Sequence, residues 1–279
     1  MGFESEVLSI ERQGDVGILW LDRPEKRNAM NPPMWTAFPA ALEALLEDGE
    51  VRAIVLAGKG KSFCVGLDLA AFQGGGAGGE GGMAGPLSGA TANLRQLDVT
   101  RGFQRSISAI AEAPVPVICA IHGYCLGGGV DIATACDIRV ASKDATFSIR
   151  ETKIGIVADV GTLQRLPKIV TAGHVAELAY TGKDISAARA EQIGLVNSVH
   201  ADFDATFEAA MSMATEIAAN APLAVRGTKF VLSQSEDLTT EQSLLFNGIW
   251  TMITTLNSND LKEAMKAFVE KRKPSFSGS

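Results

Sequence analysis

CAIHGYCLGGGVDIATACDIRVASKDATFSIRETKIGIVADVGTLQR, Cys119 to Arg165, is the stretch on which the reading of this 279-residue chain turns. Ahead of it, Val115-Pro116-Val117-Ile118-Cys119-Ala120-Ile121 is apolar and rich in β-branched residues, which predicts a buried strand. Behind the Gly127-Gly128-Gly129 turn, Val130, Ile132, Ala133 and Ala135 suit a short buried helix ending near Cys136. A strand, a glycine turn and a helix start collect free backbone N–H groups in one place. Such a place can hold a phosphate or a developing oxyanion. The same stretch carries three carboxylates, Asp131, Glu151 and Asp159, spaced 20 and 8 residues apart.

Working outward, Val7–Glu11 and Val16–Leu21 read as two strands joined by a turn at Gln13-Gly14-Asp15. Asn31 is a good N-cap, with Pro32 at the first helical position. Trp35, Phe38, Leu42, Leu45 and Leu46 then follow at helical spacing over 32–48. Val51–Ala57 is a near-continuous apolar strand. Alternating strands and helices predict α/β architecture with parallel pairing. Ser62 to Leu69 reads as a short strand, a glycine and a helix start. Gly74 to Gly89 is a Gly-rich loop; its formal G-x-G-x-x-G has neither a strand before it nor an apolar helix after it. Gly60-Lys61-Ser62 resembles the end of a P-loop, but Val55 stands where that motif needs glycine. Helices are expected over Leu94–Ala113, Thr162–Ile169, Ala172–Tyr180 and Ala187–Ile193, the last capped by Ser186. From Phe203 onward everything reads as helix: 203–219, 222–233, 239–256 and 259–270. A helical tail so rich in Leu, Phe, Met and Ala calls for a partner surface.

Hydrophobic residues make up 46% of the chain and charged ones 20%, which argues for an ordered globular protein. A net charge of −7 disfavours nucleic acid and anionic lipid as partners. Cys64, Cys119, Cys125 and Cys136 form no C-x-x-C pair, so neither a zinc site nor a disulfide framework is expected. Met1–Ile10 is acidic and has no apolar core of a signal peptide; Phe276-Ser277-Gly278-Ser279 is no peroxisomal tripeptide. No run is long enough to span a membrane. Reduced thiols and absent targeting signals predict a cytoplasmic protein.

Several of these segments together resemble the crotonase, or enoyl-CoA hydratase/isomerase, superfamily. They are Arg23-Pro24…Asn28-Ala29-Met30, Ser62–Leu69, His122–Asp137, Phe147–Leu166 and Phe268–Pro274. The resemblance covers almost the whole chain. It implies an α/β spiral of ββα units over 1–200 and an all-helical oligomerisation region over 201–279 that makes trimers or dimers of trimers. It implies an acyl-CoA thioester as substrate, with no cofactor beyond the CoA carried by that substrate. By motif position, the resemblance gives the oxyanion hole to the N–H groups of Leu67, which follows Gly66, and of Gly128, which follows Gly127. Loss of one such donor typically costs about 3–4 kcal/mol in the barrier. Lys26, Ala29 and Asp68 lie in segments that line the adenosine end in relatives. Phe268 and Lys271 match a pair that reaches it from a neighbouring subunit.

The carboxylates choose the subfamily. Hydratases of the superfamily place Glu at 131 and at 151 and keep a glycine near 159. Asp131, Glu151 and Ala158-Asp159-Val160-Gly161-Thr162 resemble the Δ3,5-Δ2,4-dienoyl-CoA isomerases instead. Moving a proton from C2 to C6 needs a base at one end, an acid at the other and no water between. The resemblance gives the C2 proton to Glu151 and the C6 proton to Asp159, with Asp131 as support. Singly, each carboxylate has an ordinary structural explanation. Asp131 could answer a helix dipole, Glu151 could pair with Arg150 or Lys153, and Asp159 could cap the next helix. A 2-enoyl-CoA hydratase, another crotonase reaction, or a non-catalytic acyl-CoA or RNA binder remain alternatives.

Overall fold

The computed structural model describes residues 3–73, 89–235 and 237–279. The Gly-rich segment from Gly74, read above as a loop, lies outside them except for Gly89. Strands β1 (Leu8–Gln13) and β2 (Val16–Leu21) form the expected hairpin, with Gly14 at φ +59° in its turn. A 3₁₀ turn, Pro24–Lys26, leads to helix α1 (Pro32–Leu46). Asn31 caps α1 as predicted, its Oδ1 accepting from Met34 N–H at 3.1 Å. Strand β3 (Ala53–Gly58) follows, then the short α2 (Leu69–Gln73) and the long α3 (Ala90–Glu112).

The next segments repeat one plan. β4 (Val117–Ile121), β5 (Tyr124–Leu126) and α4 (Gly128–Ala135) make one ββα unit. β6 (Ile138–Ser142), β7 (Thr146–Ser148), a 3₁₀ turn (Glu151–Ile154) and α5 (Thr162–Arg165) make another. The first strand of each unit joins a six-stranded sheet and the second a three-stranded one, β5-β7-β8. Helix α6 (Ala172–Thr181), β8 (Ile185–Ser186), α7 (Ala187–Gln192), β9 (Ser198–His200) and α8 (Phe203–Ala218) follow. The large sheet runs β1-β2-β3-β4-β6-β9, parallel from β2 onward.

Period-two alternation divides this sheet between two cores. Ile54 and Leu56 of β3 face the α1 and α4 side; Ala53, Val55 and Ala57 face α8. There α8 presents Ala210, Ala214 and Ala218, four residues apart and therefore on one face. So the first helix after residue 200 is part of the core packing. Helices α9 (Pro222–Ser235), α10 (Thr240–Trp250) and α11 (Asn259–Glu270) complete the chain. Phe230 clasps Trp250 and Phe246, with ring centroids 4.7 and 5.2 Å apart. Asp260 and Arg52 fasten the last residues. Asp260 accepts from the N–H groups of Ser277 and Gly278 at 2.8 and 3.0 Å, and Arg52 Nη2 donates to Phe276 O at 3.0 Å.

Three expected elements differ. The strand expected in Ser62–Leu69 is reduced to isolated bridges, Cys64 with Cys125 and Met30 with Leu67, because Gly66 turns the chain at φ +84°. The helix expected over Thr162–Ile169 becomes α5 followed by a 3₁₀ turn, Leu166–Lys168, since Pro167 supplies no N–H. The helix expected to Leu256 widens after Trp250 into a π-helical turn, Thr251–Thr255.

Candidate active site

A cavity of about 530 Å³ opens where the two sheets meet the start of α4. Gly66, Leu67, Gly127 and Gly128 line it, as does a carboxylate wall of Asp131, Glu151 and Asp159. Trp35 of α1 and Phe103 of α3 close the apolar side, their rings 5.3 Å apart.

The glycines are there because backbone must approach backbone. A Cβ on Gly66 would lie 2.8 Å from Leu126 O and 3.3 Å from Gly128 N. One on Gly128 would strike Met30 Sδ and Trp35 Cη2 at 2.8 and 2.9 Å. Trp35 is fixed in turn, its Nε1 donating to Met30 O at 3.1 Å. The N–H groups of Leu67 and Gly128 donate to no acceptor among the described residues, although their neighbours Met30, Asp68, Gly127 and Val130 all donate to carbonyls.

Each carboxylate is held by a different element. Asp131 is fully buried in the first turn of α4. Its Oδ1 accepts from both the N–H and the hydroxyl of Thr162, each at 2.7 Å. It therefore caps α5, the task the sequence had offered to Asp159. Burial pushes its pKa up to about 6, against the pull of those two bonds and of Arg165. Glu151 starts the 3₁₀ turn after β7 and is also buried. The surface pair suggested for it does not form. Arg150 binds Asp184 through both carboxylate oxygens at 2.7 Å, and Glu151 Oε2 has no hydrogen-bond partner among the described residues. Burial first, and the nearby Asp131 second, push Glu151 up to about 7. Asp159 is also raised, chiefly by burial; Gln104 of α3 donates to its carbonyl at 2.6 Å.

The residues expected at the adenosine end do not line this cavity. Asp68 is engaged elsewhere. Its Oδ1 accepts from Ala71 N–H at 3.1 Å and its Oδ2 from Arg23 at 3.1 Å, and Arg23 also binds Ala29 O. Burial works against the Asp68 anion, but these bonds hold its pKa below the ordinary value. Lys26 is exposed on the first 3₁₀ turn, whereas its neighbour Arg27 turns to the cavity and lies 5.8 Å from the centre of the Tyr124 ring. Phe268 and Lys271 are exposed on and just after α11, outside this chain's cavity. Sequence reading missed Trp35, Phe103, Arg27, Arg150 and Asp184 as lining residues. Only Trp35 carried a signal, as one of the apolar positions at helical spacing in α1.

The family model described as enoyl-CoA hydratase/isomerase matches residues 11–279. The chain belongs to this family. A Dictyostelium discoideum protein named mitochondrial Delta(3,5)-Delta(2,4)-dienoyl-CoA isomerase is 40% identical, over 94% of this chain and 87% of the relative. The Arabidopsis thaliana protein of that activity, named peroxisomal, is 39% identical over 97% and 96%. The crystal structure of enoyl-CoA hydratase from Mycobacterium tuberculosis H37Rv superposes with a TM-score of 0.82 at 33% identity, covering 99% and 100%. The crotonase-like fold and family read from the motifs stand.

The cytoplasmic expectation is corrected by the same relatives, which are named mitochondrial and peroxisomal. Four buried free thiols argue only against an oxidising compartment, so cysteine usage could not separate cytosol from an organelle interior. Among the described residues no helix is long and apolar enough to cross a membrane, and no His/Cys/Asp/Glu group is placed to hold a metal ion.

Proposed function

We propose that this protein isomerises 3,5-dienoyl-CoA to 2,4-dienoyl-CoA. The observation that carries the reading is the third carboxylate: Asp159 lines the same cavity as Asp131 and Glu151. A hydratase needs two carboxylates around one water; a 1,5-proton shift needs two that are separated. The naming of the Dictyostelium and Arabidopsis relatives supports the same choice.

In this reading the thioester carbonyl sits against the N–H groups of Leu67 and Gly128, which act as the oxyanion hole. Glu151, poised near neutrality, takes the C2 proton. The C–H electron pair moves into the conjugated chain, the double bonds shift, and the carbonyl oxygen carries the charge. Asp159, whose partial desolvation raises its carboxyl above the ordinary value, is the acid that delivers a proton to C6. Exchange with solvent then returns both carboxyls to their starting states. No metal or redox cofactor takes part. Arg27 at the cavity edge, with Gly66 and Gly127 on its walls, receives the thioester arm. Lys26, Ala29 and Asp68 border the CoA path, with Phe268 and Lys271 contributed by a neighbouring subunit. The spiral core over 1–200 and the helical region over 201–279 assemble through that region into trimers or pairs of trimers.

The deciding experiment follows ultraviolet absorbance on adding 3,5-dienoyl-CoA, in parallel with hydration of a 2-enoyl-CoA. Conjugation with the thioester must appear in the first. Faster turnover of the 2-enoyl-CoA would give the chain to the hydratases.

A further inference from the structure

Asp131 and Thr162 join two parts of the cavity that the chain keeps apart. Asp131 belongs to α4, the helix that begins with Gly128. Thr162 begins α5, three residues after Asp159. Both are buried, and both short bonds from Thr162, backbone and hydroxyl, converge on the single oxygen Oδ1. The hydroxyl is not needed to cap α5, because Thr162 N–H already reaches Asp131. Nor does Thr162 line the cavity. A donor spent on a buried carboxylate favours that carboxylate's charged form.

We propose that Thr162 is a positioning residue for the reaction: its hydroxyl keeps Asp131 oriented and ionised, and Asp131 in turn sets the basicity of Glu151. This rests on the isomerase reading above and adds to it a group that never touches substrate. The titratable groups set about Asp131 are Glu151, Asp159 and Arg165, together with the thiols Cys64 and Cys125. The α3 side chains that reach this cluster, Gln104 through Asp159 O and Ser108 through Arg165, are uncharged. Both Asp131 and Glu151 are raised by burial, and the charge of Asp131 is the largest influence on Glu151 after burial. Two carboxylates so linked lose their protons as a pair. Removing the hydroxyl makes Asp131 harder to ionise, so less of its charge opposes the Glu151 anion, and Glu151 ionises at lower pH and as a weaker base.

The test compares Thr162→Val with Thr162→Ser across a full pH–rate profile with 3,5-dienoyl-CoA. T162V is expected to lose about tenfold or more in kcat with KM near that of the unaltered enzyme, the scale of a bond to a charged group. The acid limb of its profile should move to lower pH, and T162S should restore both kcat and limb. Near-UV circular dichroism checks the fold; if T162V fails to fold, T162A removes the same hydroxyl and is read in the same way. An acid limb left in place, a loss confined to KM, or a T162S no better than T162V would overturn the proposal. An unaltered enzyme that does not turn over 3,5-dienoyl-CoA would instead refute the isomerase reading, which separates the two failures.

Discussion

The carboxylate wall and the α9–α11 tail are opposite solutions to the placement of polar and apolar groups. The wall buries two acids, Asp131 and Glu151, that water would rather hold; the tail exposes side chains that water would rather expel. Asp131 and Glu151 are 2% and 8% exposed, whereas Leu245, Ile253 and Phe268 are 67%, 76% and 85% exposed. Helix α10 buries none of its residues. A buried acid held against its preference is ready to exchange protons. An apolar face left open is ready to meet another surface. One region gathers its acids around a cavity within one chain, and the other leaves its apolar side chains open to solvent.

The sharpest way to break this contrast is at the wall. Glu151→Gln should cut turnover by ~10²–10⁴-fold, the scale of a lost general base. Asp159→Asn should lose isomerisation to a similar degree yet still exchange the C2 proton with solvent deuterium, which mass spectrometry of recovered substrate would detect. Isomerisation at the unaltered rate in that variant would remove Asp159 from the C6 end.

Burial of the wall also has a stability signature. The Glu151 carboxyl is raised from an ordinary 4.5 to about 7, so the folded chain holds a proton that the unfolded chain releases. This group's contribution is full below its ordinary value and is lost as pH rises through about 7. E151Q lacks that loss. Its stability relative to the unaltered protein should therefore rise between pH 5 and 8, by at most ~3 kcal/mol. Parallel denaturant titrations at the two pH values measure it; a difference that is flat with pH would mean that Glu151 is not held neutral in the fold.

The tail offers smaller effects. Light scattering at micromolar concentration should give a trimer or a multiple of it. Ile253→Asp should weaken that assembly by about 2 kcal/mol, roughly 30-fold, if Ile253 is central to the contact. A monomeric unaltered protein would leave the exposed face unexplained and remove Phe268 and Lys271 from any shared site. Smallest of all, Gly227→Ala drives a Cβ into the Trp250 indole within the α9–α10 clasp. It should cost about 1 kcal/mol or more by thermal denaturation, with kcat per intact site unchanged. A loss of kcat instead would show that clasp and cavity are coupled.

The two regions also differ in how well the sequence announced them. In the tail, helical periodicity placed α8 to α11 well, yet it could not say which helix stays with the core. That was settled by Ala210, Ala214 and Ala218, whose small side chains let α8 lie close on β3, β4 and β6. At the wall, motif spacing marked all three acids. It could not tell that Asp131 would cap α5, that Arg150 would choose Asp184 over Glu151, or that Arg27 rather than Lys26 would turn to the cavity.

By itself, then, the sequence determined what is local or repeated: the strands and helices, the glycine turn and the family of the ββα spiral. Hydrophobic period and glycine placement act over a few residues and leave a direct trace in the chain. Only the tertiary structure decided which oxygen of Asp131 is engaged, that Glu151 Oε2 stays without a partner among the described residues, and that the hydroxyl of Thr162, 31 residues away, holds Asp131. Those outcomes depend on burial and on donors brought in from other elements, and desolvation is a property of the packed surroundings rather than of the residue.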